Sequence, residues 1–166
     1  MEQGSFNVRD FGALGDGKTD DSAAIQRALD AAGEKQATVF VPPGEFMAAG
    51  VKLRPHTGIM GHPTWSFREP GGSILRLSDP TAKCLLDITG AFGATVHGLC
   101  LHGGGLGQGV HGILIDKPEY GKEEDTPRIE RCKVGRFTGD GVHLGRVWCF
   151  SVRHCMLDHN GGAGLS

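Results

Sequence analysis

The sequence lacks long apolar runs, a strong excess of charge and any paired-cysteine motif. No apolar run approaches the ~18 residues needed to span a bilayer, and the formal net charge of the 166-residue chain is −2. No global field therefore favours nucleic acid or an anionic membrane, and neither is expected as a partner. The first residues, Met1–Ser5, contain no basic and no apolar segment, so they are not typical of a signal peptide.

The cysteines also argue against two common kinds of small domain. Five are present, an odd number, and none forms a Cys-x-x-Cys pair, which disfavours a disulfide framework and a zinc site. The stretch that contains His154, Asp158 and His159 lacks the spacing of known metal motifs. We predict exposed turn residues there and no metal site.

Glycine, in contrast, is abundant, and its 28 residues are spread along the chain, which predicts many turns. One amphipathic helix is predicted over Ala23–Ala32, where Ile25 and Leu29 share a face, and Gly33 is expected to end it. After this helix the pattern changes to short strands, beginning with Thr38–Val41. Because no second helical pattern appears, a doubly wound sheet is disfavoured.

The last third of the chain contains a repeat. Ile129 aligns with Val152 at an offset of 23, and Val96 aligns with Ile129 at an offset of 33. Two further sets share these offsets: Leu101, Val134 and Leu157, and Leu99, Cys132 and Cys155. Short strands and glycine turns that repeat every ~20–30 residues are typical of a solenoid, whose stacked coils share one core. We therefore predict inward-facing ladders at these positions, with the cysteines packed in the core.

The pattern predicts an all-β fold, a right-handed parallel β-helix solenoid. Residues 1–37 are assigned to an N-terminal segment with a capping α-helix, and residues 38–166 to the coils. The charged stretch 117–125 accounts for the longer offset and is predicted to be a loop inserted into one coil. Since no cover is apparent for the last coil, we expect a C-terminally truncated protein that self-associates through this uncapped coil.

One segment resembles a known family. Residues 7–26, with the sequence NVRDFGALGDGKTDDSAAIQ, and residues 38–44, TVFVPPG, are similar to the N-terminal motif of the pectate lyase-like superfamily. This superfamily includes polygalacturonase-like hydrolases, mannuronan epimerase modules and phage tailspike proteins. The resemblance implies a right-handed parallel β-helix that acts on polysaccharide, most often an acidic one. The motif itself builds the end of the solenoid and does not select an activity.

The catalytic sets of these relatives are not found in the chain. The polygalacturonase-like motifs are absent, and the epimerase stretch Tyr-Gly-x-Asp-Pro-His is replaced by residues 140–145, DGVHLG. A lyase would require a base and calcium-binding carboxylates, so calcium is the only cofactor that the resemblance suggests. We therefore expect these 166 residues to cleave little or no polysaccharide alone, with catalysis completed by coils beyond Ser166.

Two nucleotide-binding patterns occur but do not fit their surroundings. Residues 12–19 match the P-loop pattern, but Asp16, Asp20 and Asp21 surround Lys18 and would repel a triphosphate. Residues 107–112 match Gly-x-Gly-x-x-Gly, but a strand pattern follows where a dinucleotide site requires a helix. We predict no nucleotide binding at either position.

Three residues are candidates for acid–base chemistry. An offset of 29 places His111 beside Asp140 on adjacent coils, and His143 follows in the same turn. A carboxylate next to an imidazole could form an acid–base pair. The alternative is that Asp140 only stabilises the Asp-Gly turn. A second set of polar residues, His97, Glu130 and Arg153, is predicted to pair structurally across rungs.

The predicted function is polysaccharide binding and processing by a lyase or glycoside hydrolase. Lys117, Glu119 and Tyr120 of the loop are the candidate substrate-binding residues, with a solvated loop as the alternative. The competing hypothesis is a non-catalytic structural or adhesive β-helix similar to a tailspike, which would be trimeric. The resemblance implies a secreted or cell-surface protein if a signal has been removed, and otherwise a cytoplasmic protein or a component of a phage particle.

Overall fold

The computed structural model describes residues 6–63 and 71–166. The N-terminal residues Met1–Ser5, predicted to carry no signal, lie outside the described residues. Strand β1 (Phe6–Asn7) comes first, then a short 3-10 helix, Val8–Phe11, and, after strand β2 (Asp16–Asp20), helix α1 (Ser22–Lys35). Among the described residues no helix is both long and apolar enough to cross a membrane.

Helix α1 is longer than the sequence pattern predicted. Gly33 does not end it, and the helix continues to Lys35, where Gln36 adopts a left-handed conformation and caps it. The glycine is required for another reason, since a Cβ at Gly33 would lie 2.6 Å from Cγ of Arg54. A close approach between the helix and a later segment, which local sequence does not reveal, therefore explains this residue.

The remaining described residues form three parallel sheets. The first sheet contains, in spatial order, β1 (Phe6–Asn7), β3 (Thr38–Val41), β6 (Gly58–Gly61), β9 (Thr95–His97), β12 (Arg128–Glu130) and β15 (Ser151–Arg153). The second contains β2 (Asp16–Asp20), β4 (Gly44–Ala48), β7 (Ser73–Leu77), β10 (Cys100–His102), β13 (Lys133–Gly135) and β16 (Met156–Asp158). The third contains β5 (Val51–Lys52), β8 (Cys84–Asp87), β11 (His111–Asp116) and β14 (Val142–Gly145). Successive strands of each sheet lie on successive coils, so the fold is the predicted right-handed parallel β-helix.

The strand register confirms the predicted ladders. Ile129 pairs with Val96 on one side and with Val152 on the other. Leu101, Val134 and Leu157 pair in the same way across β10, β13 and β16. Side chains from these ladders enter one continuous core in which Ile129 and Val134 are fully buried. The core therefore runs along the solenoid axis, and polar side chains of the sheets face outward.

The segment that matches the P-loop pattern does not form a phosphate cradle. Residues Asp16–Asp20 form strand β2, and the Asp16 carboxylate accepts hydrogen bonds from the amides of Lys18 and Thr19. Asp21 is buried and accepts the N–H groups of Leu14 and Gly15 instead of capping the helix with its side chain. The amide donors that a phosphate would need are thus already bonded within the protein.

Several corners between strands are left-handed at residues other than glycine. Arg131 and His154 adopt positive φ at equivalent corners of successive coils, as do Arg136 and His159. A left-handed residue turns the chain sharply between two sheets, and its side chain then points away from the core. The His154 and His159 region is therefore a set of corners, with His159 Nδ1 3.0 Å from the carboxylate of Asp158.

The predicted inserted loop lies between β11 and β12, but it is not uniformly solvated. Asp125 is only 3% exposed, and its carboxylate forms an ion pair with Lys117 at 2.7 Å. The Asp125 carboxylate also accepts the backbone N–H of Trp148 at 2.9 Å. Because Trp148 follows the next strand of the third sheet, the loop is fixed to the neighbouring coil by a contact that the charge pattern did not predict.

Candidate functional site

The third sheet brings the three acid–base candidates together. His111 begins β11, Asp140 immediately precedes the turn into β14, and His143 lies within β14. The backbone N–H of Asp140 donates to Nδ1 of His111 at 3.0 Å, and Oδ2 of Asp140 lies 2.9 Å from Nδ1 of His143. The imidazole rings of His111 and His143 are 4.8 Å apart, centroid to centroid. One carboxylate therefore lies next to two stacked imidazoles.

Close stacking of the coils produces this arrangement. A Cβ at Gly141 would lie 2.8 Å from the carbonyl oxygen of Gly164 on the following coil and 2.6 Å from the side-chain nitrogen of Asn160. The Asp-Gly dipeptide thus allows the backbone of one rung to contact the next directly. Gly141 is needed for this close approach of the coils. The same approach places Asp140 within hydrogen-bonding distance of both neighbouring coils.

The Asp140 carboxylate is held by several donors. Ala163 donates its backbone N–H to Oδ1 at 2.8 Å, and the hydroxyl of Ser166 donates to Oδ2 at 2.7 Å. Burial of the side chain, which is 17% exposed, raises the pKa of Asp140, but hydrogen bonds from Ser166, His143 and Ala163 outweigh burial and lower this pKa below its ordinary value. Asp140 is therefore a carboxylate at neutral pH and acts as an acceptor.

The two imidazoles hold their protons on different atoms. Nδ1 of His111 accepts an amide N–H, so the neutral ring carries its proton on Nε2. Nδ1 of His143 faces the ionised Asp140 carboxylate and donates to it, which leaves a lone pair on Nε2. Among the described residues no hydrogen bond reaches Nε2 of either ring. His111 therefore offers a proton, and His143 offers a proton acceptor.

Burial controls the charge of His111. Desolvation lowers the pKa of the His111 imidazole, and the neighbouring His143 lowers it further, while the Asp140 carboxylate opposes the shift. The ring is consequently neutral near pH 7, in agreement with its role as acceptor of the Asp140 amide. A neutral ring beside His143 also avoids placing two positive charges in contact.

Both rings line an open groove of about 280 Å³. Its wall is formed by residues from three consecutive coils, namely Thr81, Ala82, Lys83, Gln108, Gly109, His111, Leu114, Asp116 and His143. Lys83 is exposed and supplies a positive charge at the groove. The groove is open and combines the Lys83 cation and the Asp116 carboxylate with two imidazoles that can transfer protons.

The cluster can also be considered as a metal site, since one ligand atom from each of His111, Asp140 and His143 lies within 4.8 Å of the others. Nδ1 of His111 already accepts a hydrogen bond from the Asp140 amide. The Asp140 carboxylate oxygens already accept hydrogen bonds from the Ala163 amide and the Ser166 hydroxyl. Calcium, which prefers oxygen ligands, does not suit two imidazoles. The hydrogen bonds therefore favour an acid–base cluster over a metal centre.

The candidate substrate-binding residues of the loop differ in their surroundings. The Lys117 side chain is 12% exposed and forms the ion pair with Asp125, whereas Glu119 and Tyr120 are exposed. The ring of Tyr120 contacts that of Trp148 edge to face, with centroids 6.0 Å apart. Sequence reasoning missed Trp148, although two aromatic residues in the short turn after β14 were a visible signal.

The other polar set lies away from the groove. Glu130 pairs in register with His97 and with Arg153, and the guanidinium of Arg153 forms an ion pair with the Glu130 carboxylate. The side chain of Arg153 is largely exposed, so this pair stabilises the rungs only modestly. The set matches the predicted structural role.

Comparison with known proteins connects this architecture to polysaccharide-modifying enzymes. Residues 5–73 match the family described as rhamnogalacturonase A/epimerase, pectate lyase-like. Mannuronan C5-epimerase AlgE4 of Azotobacter vinelandii is 34% identical over 156 residues, which cover 93% of this chain and 20% of the relative. Alginate lyase 7 of the same organism is 56% identical over 46 residues, 27% of this chain and 5% of the relative.

Solved structures agree in fold. The A-module of Azotobacter vinelandii mannuronan C-5 epimerase AlgE6 superposes with a TM-score of 0.75 at 28% identity, covering 94% of this chain and 44% of that chain. The corresponding AlgE4 module gives a TM-score of 0.72 at 24% identity, over 96% of this chain and 52% of that chain. The chain thus spans at most a fifth of the curated relatives named above and about half of the solved modules.

Proposed function

We propose that the groove of this chain binds an acidic polysaccharide and transfers a proton at C5 of a uronate residue. The chain is a member of the pectate lyase-like superfamily and a homologue of the mannuronan C5-epimerase A-modules. Its fold is therefore one on which polysaccharides are processed. The observation that carries the proposal is the pair of neighbouring imidazoles, His111 and His143, whose hydrogen bonds to Asp140 favour opposite neutral tautomers.

His143 is the proposed base. Its Nδ1–H is held by Asp140, so Nε2 can accept the C5 proton, and the resulting imidazolium is stabilised by the adjacent carboxylate. Asp140 keeps its negative charge and does not receive the proton. The lowered pKa of Asp140 supports this assignment, because an ionised Asp140 both orients and stabilises the protonated ring.

His111 and Lys83 act on the charge that develops on the substrate. Removal of the C5 proton leaves the electron pair delocalised into the C5 carboxylate, which then carries additional negative charge. Nε2–H of His111 donates a hydrogen bond to it, and the Lys83 ammonium at the groove attracts it electrostatically. Return of a proton from water to the opposite face of C5 inverts the centre. Alternatively, the electron pair forms a C4–C5 double bond as the C4–O4 bond breaks, and the departing oxygen takes a proton from water, which cleaves the chain.

Hydrogen–deuterium exchange at C5 tests the step common to both outcomes. Exchange requires only the groove residues of this chain, so proton NMR of polymannuronate in D₂O should show loss of the C5 signal with the 166-residue chain even where cleavage is slight. His143→Gln and Asp140→Asn should each slow this loss by about 10²-fold or more. His154→Gln is the matched control, because His154 lies at a corner outside the groove. Binding without exchange would instead support the structural or adhesive role.

A further inference from the structure

Two exposed aromatic rings lie side by side at the loop that joins β11 to β12. Tyr120 is 63% exposed and Trp148 is 48% exposed, and their rings meet at an interplanar angle of 85° with centroids 6.0 Å apart. The perpendicular rings form an aromatic corner that is open to solvent. Exposed clusters of large aromatic side chains on a soluble protein usually mark a binding surface, since Trp and Tyr give rigid contact area at low entropic cost.

The protein holds this corner in place from below. The buried Asp125 carboxylate bonds both Lys117 Nζ and the backbone N–H of Trp148. Arg146 Nη1 donates to the carbonyl oxygen of Lys117 at 2.6 Å, and the N–H of Thr126 donates to the carbonyl of Trp148 at 3.2 Å. Burying a carboxylate is costly, and a merely solvated loop would not require it. These bonds fix the two segments that carry the rings and so preorganise the corner.

The segment that anchors the corner follows directly from the groove. Asp116 lines the groove at the end of β11, and Lys117, which anchors the aromatic segment, follows it directly. Leu114 is the register partner of His143, and three strand residues from Leu114 to Lys117 correspond to about 10 Å. This distance exceeds one sugar ring, so an oligosaccharide lying along the strands is long enough to extend from the imidazoles to the anchored segment, whereas a short one stays in the groove.

We propose that Trp148 and Tyr120 form a carbohydrate subsite in which the Trp148 ring stacks on the C–H face of a pyranose and the perpendicular Tyr120 ring contacts its edge, while the reacting residue of the same polysaccharide lies in the groove. The proposal rests on the proposed function for the identity of the polysaccharide. Two rings at a corner suit a single sugar ring and offer far less than the ~800 Å² that each partner contributes to a typical protein interface. Uronates suit the corner because their rings retain an apolar face although they are charged.

Dependence on oligosaccharide length tests the subsite. Isothermal titration of the 166-residue chain with a mannuronate disaccharide and with a long oligomannuronate should show about tenfold tighter binding of the long ligand. In Trp148→Ala this gain from length should disappear, and Trp148→Phe should retain most of it. Phe150→Ala is the matched control, because Phe150 is also half exposed but does not belong to the ring pair. Thermal melting verifies that each variant is folded.

The outcomes separate the subsite from the chemistry. If wild type and Trp148→Ala bind the long ligand equally, or if Phe150→Ala loses as much affinity as Trp148→Ala, the subsite is disproved whatever the exchange assay gives. If C5 exchange is absent but the gain from length still depends on Trp148, the subsite stands and only the proton transfer fails. Failure of the wild type to bind any oligomannuronate would refute the assigned ligand class and, with it, the subsite.

Discussion

Apolar side chains are buried to different extents at the two ends of the solenoid. At one end helix α1 packs against β1, β3 and β5, and its Leu29 is fully buried. At the other end Leu157 of β16 is only half-buried, although its ladder partner Val134 on the preceding rung is fully buried. Phe150 and Leu165 are exposed in the same region. Burial of a ladder residue thus depends on the element stacked over it more than on the residue itself.

A Leu→Ala substitution at each end should give the largest difference in the free energy of unfolding. Equal losses at the two ends would contradict the comparison. Leu29→Ala removes a fully buried side chain and should lower the free energy of unfolding by about 2–5 kcal/mol. Leu157→Ala removes a half-buried one, and we expect about 1 kcal/mol or less. Urea unfolding followed by circular dichroism measures both. Equal losses would mean that the last coil is as tightly packed as the helix-covered end.

Acidification should destabilise the C-terminal region before the helix. The pKa of His111 in the folded protein lies below its ordinary value of 6.5 because of burial and His143. The unfolded chain therefore binds the proton first, and the stability that neutral His111 contributes above pH 6.5 is lost as the pH falls below that value. After correction for the intrinsic pH dependence of exchange, amide protection around residues 140–166 should fall between pH 7 and 5 more than protection in α1.

His111→Gln provides the control for this pH effect, since glutamine can still accept the Asp140 amide but does not titrate. The variant should show little of this additional loss of protection over the same pH interval. The lowered pKa of Asp140 does not contribute there, because its stabilisation is lost only as the pH falls below the ordinary value of 3.8 towards the lower pKa of the folded carboxylate. An equal loss of protection in wild type and His111→Gln would contradict the assignment.

The reactivity of the cysteines should also differ between the last coil and an earlier one, with the smallest expected change in stability. A hydrogen bond from the Cys132 thiol lowers the pKa of Cys155 to about 7 against the opposing effect of burial, whereas burial and Asp87 raise the pKa of Cys84 to about 12. At pH 7 iodoacetamide should therefore modify Cys155 much faster than Cys84. Peptide mass spectrometry resolves the two sites. Cys132→Ala should slow the reaction of Cys155, and an unchanged rate would exclude the thiol hydrogen bond as the cause.

The features that sequence could predict are those that repeat. Ile129 and Val152 recur at one offset because each coil must place an apolar residue under its neighbour, so the ladders and the neighbouring positions of His111 and Asp140 were visible in the sequence. Contacts that occur once were not. The sequence gives no sign that Gly33 makes room for Arg54, or that Asp125, within a run of charged residues, would be buried against Trp148.

The candidate site was predictable only in part for the same reason. His111 and Asp140 share a repeat position and His143 follows Asp140 by three residues, but the hydroxyl of Ser166 and the amide of Ala163 reach Asp140 from the following coil. The tautomer of each imidazole depends on its contact with Asp140, and no residue pattern encodes these contacts. Trp148 was missed because its role depends on Tyr120, which is brought near it by the anchored loop.

The backbone amide of Asp140 donates a hydrogen bond to His111 on the coil before it. The Asp140 carboxylate is hydrogen-bonded to His143 of the same coil and to Ala163 and Ser166 of the coil after it. The proton-transfer pair consequently exists only while three coils are stacked in the correct register, and a slip of one residue in any of them would separate the carboxylate from its partners. The nitrogen NMR chemical shifts of the two imidazoles should then report on the stacking of the coils during refolding. They should reach their native values only when the last of these three coils has packed against the others.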